Sequence, residues 1–115
     1  MVERELKVTV DLGTGGSDAR PVVRVAGEID IETSPLLEEQ LQAVLDEGHA
    51  SVLVDLGQVT FLDSTGLSAL IGGLRRCQGA GGELHLASPR PNVRKVLEVT
   101  GLVETFHVDE ETGGG

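Results

Sequence analysis

The 115 residues suit one domain of the commonest size, and 39% of them are hydrophobic and recur periodically, which excludes a disordered chain. Phe61 and Phe106 are the only aromatic residues, so the core must be aliphatic and the stacking platforms of single-stranded nucleic-acid binders are missing. A net charge of −10 disfavours nucleic acid or an anionic membrane as a partner, and the lone Cys77 excludes an internal disulfide.

Residues 5–12 alternate polar and apolar, as a strand with one buried face should. The Gly/Ser/Asp-rich residues 13–18 form a turn, and a β-rich run over 20–26 completes an antiparallel hairpin whose register this loose turn does not set. The turn's glycines do not spell G-x-G-x-x-G and lead into a strand rather than a helix, so no dinucleotide site is expected. Gly27-Glu28-Ile29-Asp30 closes the second strand. Thr33 or Ser34 then caps a helix with Pro35 in its first turn, where the missing N–H costs nothing. Leu37, Leu41, Val44 and Leu45 make one apolar stripe, Glu38 and Glu39 lie toward the positive helix end, and Gly48 is the stop signal.

Residues 51–56 are an almost continuous apolar run, as expected of a strand covered on both faces. After Gly57-Gln58 comes Thr60-Phe61-Leu62-Asp63-Ser64-Thr65-Gly66-Leu67-Ser68, where a carboxylate and two hydroxyls follow an apolar run and a helix begins. Ser64 suits the N-cap of that helix, its oxygen accepting from the first-turn N–H groups. The same N–H groups and the helix dipole favour an added negative charge, so this hydroxyl reads either as a plain cap or as a phosphorylation switch. The helix buries Leu67, Leu70, Ile71, Leu74 and Cys77. Gly72 and Gly73 inside it cost about 1 kcal/mol each relative to Ala, which close packing would explain. Arg75 and Arg76 suit the negative helix end.

Residues 79–82 end that helix, and 83–87 alternate as another strand. Ser88-Pro89-Arg90-Pro91 resets the chain into a third helix with Val93, Val96, Leu97 and Thr100 inward and Gly101 at its end. A short strand over 105–108 completes a folded domain of residues 1–108, and 109–115 form a flexible acidic, Gly-rich tail. The order β-β-α-β-α-β-α-β describes a single α/β domain: a mixed, mostly parallel sheet with an N-terminal antiparallel hairpin and three helices. No apolar run approaches membrane-spanning length and no signal peptide opens the chain, so a cytoplasmic protein is expected.

The sequence carries little catalytic machinery. Leu62-Asp63-Ser64-Thr65-Gly66 lacks the first glycine of a G-x-S-x-G elbow, Leu67 stands where S-x-x-K needs lysine, and there is no Walker A loop. His49, His85 and His107 are far apart in sequence, and one cysteine leaves a structural zinc site without its ligands. They read as ordinary histidines, with a shared base or metal site as the alternative. Neither metal nor cofactor is expected. Glu28 and Asp30 end a strand on the side where the Ser64 turn should lie, the edge at which open α/β sheets gather ligands. They read either as solvated loop carboxylates or as part of that edge's binding surface.

Gly27-Glu28-Ile29-Asp30, Val54-Asp55-Leu56, Phe61-Leu62-Asp63-Ser64-Thr65-Gly66-Leu67 and Val99-Thr100-Gly101-Leu102 together resemble the anti-sigma factor antagonists of the STAS domain family, in that family's order and approximate spacing. The similarity runs from about Leu6 to Val108, and the Val-, Gly- and Arg-rich character looks like the family's actinobacterial branch. The resemblance implies a STAS-like fold and a non-enzymatic partner switch. Unphosphorylated, such a protein binds an anti-sigma factor and so frees a sigma factor. The anti-sigma factor, often a serine kinase, ends the interaction by phosphorylating it. The phosphoacceptor of the motif falls on Ser64, and the partner-binding surface implied is Glu28, Asp30, Asp63, Ser64, Thr65 and Gly66. Implied partners are an anti-sigma factor that is also a serine kinase and, as a separate protein, a phosphatase. The chain itself would be a monomer or weak dimer needing no ATP. The alternative within the family is a STAS scaffold subunit, not phosphorylated, of a lipid-transport or stress-signalling assembly. Outside it stands a small hydrolase or nucleotide-binding enzyme using Ser64. Family members commonly continue into a further helix after the last strand, where this chain has its acidic tail.

Overall fold

The computed structural model describes residues 6–12 and 20–109. Its elements follow the expected order: β1 (Leu6–Asp11), β2 (Val22–Ile29), α1 (Ser34–Asp46), β3 (Val52–Leu62), α2 (Ser64–Gly79), β4 (Leu84–Ala87), α3 (Pro91–Val99) and β5 (His107–Asp109). The expected turn over 13–18, Glu5 of the first strand and the tail beyond Asp109 lie outside the described residues. β5 reaches Asp109, one residue into the stretch read as tail.

The strands form one sheet in the order β1-β2-β3-β4-β5. β1 and β2 pair antiparallel, Val8 opposite Val25, and every other pairing is parallel. The apolar alternation of β1 and β2 puts Val8, Val10, Val23, Val25 and Ile29 toward the core and leaves Lys7, Thr9, Arg24 and Glu28 exposed. Arg24 lies 3.8 Å from the Asp11 carboxylate and 3.9 Å from that of Asp55, linking three adjacent strands by their outward side chains. The core is aliphatic apart from Phe106 and Cys77.

One element is longer than its pattern. Gly57 and Gln58 looked like the end of a strand over 51–56, yet β3 continues through them to Leu62. It does so by slipping register against β2, between Arg24 and Ala26 and again between Gly27 and Glu28. Such bulges absorb extra residues on one strand without ending it. Gly57 N–H donates to Asp55 Oδ1 at 2.9 Å, and Gly27 takes φ +118°, a conformation that side-chain-bearing residues avoid. After the slips Val59 and Leu62 are buried while Phe61 emerges at the surface, opposite Glu28.

α1 and α2 pack against each other above the sheet, and α3 packs on β3. The stripes are largely as read: Leu37, Leu41 and Val44 on α1, Leu67, Leu70, Leu74 and Cys77 on α2, and Val93 and Leu97 on α3 are buried. Ile71 is only half-buried and Thr100 is exposed, its hydroxyl donating back to Val96 O at 2.8 Å. Among the described residues no helix is long and apolar enough to cross a membrane.

Candidate functional site

Two motifs far apart in sequence meet where β2 and β3 end. Parallel pairing sets Glu28 opposite Phe61 and Ile29 opposite Leu62, and Asp63 N–H then donates to Ile29 O at 3.2 Å. The residues after β2 and the residues opening α2 therefore sit side by side.

The cap of α2 is Asp63, not Ser64. Asp63 holds the extended backbone that an N-cap requires (φ −105°, ψ −173°), and its Oδ1 accepts from Thr65 N–H at 2.9 Å and Gly66 N–H at 3.0 Å. Ser64 is the first helical residue, one position too late to cap, and its side chain is exposed. Thr65 is half-buried. Gly66 is buried because the helix enters almost in contact with β2. A Cβ there would lie 2.6 Å from Ile29 Cγ2, 2.7 Å from Leu62 Cδ1 and 2.9 Å from Ile29 O.

Glu28 and Asp30 have different positions. Glu28 is exposed. Asp30 is 3% exposed, and its carboxylate is used inside the turn: Oδ1 accepts from Glu32 N–H at 2.9 Å and Thr33 N–H at 3.1 Å. Thr33 completes this network by donating its hydroxyl to Glu28 O at 2.7 Å and accepting from Asp30 N–H at 2.9 Å. Thr33 occupies the N-cap position of α1 with its side chain turned back toward β2, and so makes no side-chain bond into the helix. Asp30 shapes the loop, and Glu28, Asp63 and Ser64 reach its surface.

Three apolar residues at this edge escaped the sequence reading. Ile31 is 72% exposed, Phe61 45% and Leu36 37%. Phe61 belongs to a run whose bulges are invisible in the sequence, so its outward face could not be read from alternation. Ile31 interrupts a polar turn, which was a usable signal.

Elsewhere the chemistry is sparse. Among the described residues no three His, Cys, Asp or Glu side chains gather to hold a metal ion. His85 and His107 are neighbours in the β4–β5 register, and His85 Nε2 lies 2.8 Å from Glu83 Oε1. Burial pushes the Cys77 pKa up against a smaller opposing pull from Arg76, so the thiol stays protonated and unreactive at neutral pH. A groove of about 310 Å³ between α1 and α2, with Leu41, Ala69 and Gly73 among its lining residues, has no Ser, Thr, Cys, His or Lys in its lining.

The family model described as "Mlab, STAS domain" matches residues 7–107. The anti-sigma-B factor antagonist of Staphylococcus aureus is 32% identical over 105 residues, covering 91% of this chain and 97% of that protein. The anti-sigma-B factor antagonist of Staphylococcus epidermidis is 36% identical over 90 residues, covering 78% and 83%. Among solved structures, an anti-sigma factor antagonist from Mycobacterium paratuberculosis superposes with a TM-score of 0.79 at 30% identity, covering 91% of this chain and 86% of that one. These matches span most of the chain, with the family model covering residues 7–107, and the chain belongs to the STAS domain family.

Proposed function

We propose that this protein is an anti-sigma factor antagonist switched at Ser64. Unphosphorylated, it binds an anti-sigma factor and frees the sigma factor held there. The anti-sigma factor, acting as a serine kinase, transfers the γ-phosphoryl group of ATP to Ser64 Oγ, releasing ADP and the hydroxyl proton, and binding ends. A phosphatase restores the free hydroxyl. ATP belongs to the kinase, and this chain performs no catalysis.

The observation that carries the reading is the division of labour at the start of α2. Asp63 already takes the N–H groups of Thr65 and Gly66, so Ser64 is not needed as a cap and stands exposed. A phosphoryl group adds about −1.5 to −2 charges at pH 7. With the cap filled by a carboxylate, that charge has no vacant cradle among those two N–H groups and projects toward whatever docks on this edge. Beside Asp63 and the exposed Glu28 it opposes a partner that must desolvate the surface.

The experiment is phosphate transfer from labelled ATP by the purified serine-kinase-type anti-sigma factors of the source organism, with wild type and Ser64→Ala compared. Label on the wild type that is lost in the variant supports the switch and identifies the kinase. Equal label on both would move the acceptor elsewhere, and no label from any kinase would leave a STAS scaffold without this switch.

A further inference from the structure

Beyond the serine itself, we propose that an apolar strip of Ile31, Leu36 and Phe61 is the anchor of the docking surface, and that its occupant is an apolar cleft on the anti-sigma factor edged by Lys and Arg. This rests on the function proposed above and adds which residues hold the partner.

Among the described residues five large apolar side chains are exposed, and three of them, Ile31, Leu36 and Phe61, belong to the segments at the end of the sheet where α2 opens on Ser64. Ile31 follows the end of β2, Leu36 is in the first turn of α1, and Phe61 is the register partner of Glu28. The chain has only two aromatic residues and leaves one of them at this edge while the other, Phe106, is buried. Exposed aromatic side chains bring large contact area at small entropic cost, which makes them frequent binding anchors. Ile31 is likewise held in place in advance. Asp30 Oδ1 grips the N–H groups of Glu32 and Thr33, so the turn is fixed while the Ile31 side chain points into water. An anchor ordered before binding loses little freedom on docking. Glu28, Glu32 and Asp63 flank the strip in sequence and register, within a chain of net charge −10, and they select a partner rim of opposite sign. A phosphoryl group on Ser64 would keep its hydration shell beside the strip and so prevent the strip from being dried.

The test uses those same purified anti-sigma kinases, each titrated calorimetrically in the presence of a non-hydrolysable ATP analogue so that Ser64 stays free. Ile31→Ala and Phe61→Thr are each expected to weaken binding at least about tenfold, the scale of a binding hot spot. Val99→Ala, which truncates a residue 74% exposed at the end of α3, should leave affinity within about twofold. Ile31 sits in a turn and is not packed in the core, so Ile31→Ala keeps the test valid if the strand substitution lowers stability. Wild type and both variants binding alike would overturn the strip while leaving the switch at Ser64 intact. A wild type that binds none of the kinases and accepts no phosphate would overturn the function and, with it, the occupant assigned here.

Discussion

At the scale of single residues, the start of α2 separates a structural carboxylate from an available hydroxyl. Asp63→Ala removes the acceptor for two first-turn N–H groups and is expected to cost about 0.5–2 kcal/mol, read as a lower midpoint in urea unfolding. Asp63→Asn keeps an acceptor oxygen of the same reach and should recover most of that loss. Ser64→Ala, by contrast, removes an exposed hydroxyl and should leave the midpoint within about 0.5 kcal/mol of wild type. If Ser64→Ala were the more damaging change, the cap assignment would be wrong. This distinction was beyond the sequence for a physical reason: Asp and Ser cap helices about equally well, and only the extended backbone of Asp63 decides between neighbours. The same limit applied at Asp30. A carboxylate after a strand can be solvated, partner-facing or bound within its own turn, and the hydrogen bonds from Glu32 and Thr33 place it in the third class.

At the scale of elements, the order of strands and helices was legible because the period of the apolar residues changes from two to about 3.6 at each junction. What remained hidden was local interruption. Gly57 and Gln58 carry the composition of a turn, but hydrogen bonding to the neighbouring strand carries β3 through them, and only the register against β2 reveals the bulges. The paired glycines of α2 show the same division. Gly73 faces inward, where an added Cβ would meet Leu41 Cδ1 and Leu84 Cδ1 at 3.1 Å, so close packing explains it. Gly72 is exposed with nothing within 4 Å of its missing Cβ, so packing does not. Gly72→Ala should therefore stabilise the protein by up to about 1 kcal/mol through helix propensity. Gly73→Ala gains the same propensity but must push two leucines aside, and should end up at least about 1 kcal/mol less stable than Gly72→Ala. Paired urea titrations compare the two directly, and equal midpoints would mean that α1 and β4 yield freely to α2.

At the scale of the whole molecule, the sheet and its helices form a frame on which Ser64, the proposed switch residue, is an outward attachment. α2 is held at its entry by the fit of Gly66 against Ile29 and Leu62, and by the bond from Asp63 N–H to Ile29 O. A phosphoryl group on Ser64 would contribute opposing local effects. The positive helix end favours it by about 0.3–1 kcal/mol, while the nearby Asp63 carboxylate and Glu28 repel it across well-hydrated surface, where exposed charge pairs amount to about 0–1 kcal/mol. These terms are of similar size and opposite sign. The phosphorylated protein should therefore unfold within about 1 kcal/mol of the unmodified one, with no loss of cooperativity. Docking is different, because the partner must strip water from a group of nearly two charges and supply new hydrogen bonds for it. Loss of affinity should accordingly far exceed the change in stability, at about a hundredfold or more, which is about 2.7 kcal/mol. Urea unfolding of both forms, alongside titration of both against the same anti-sigma factor, measures the two quantities on one scale. A large stability change with proportionate loss of binding would instead mean that phosphorylation acts by loosening α2. The two outcomes separate a switch that works by surface charge from one that works by local unfolding, and the filled cap at Asp63 favours the first.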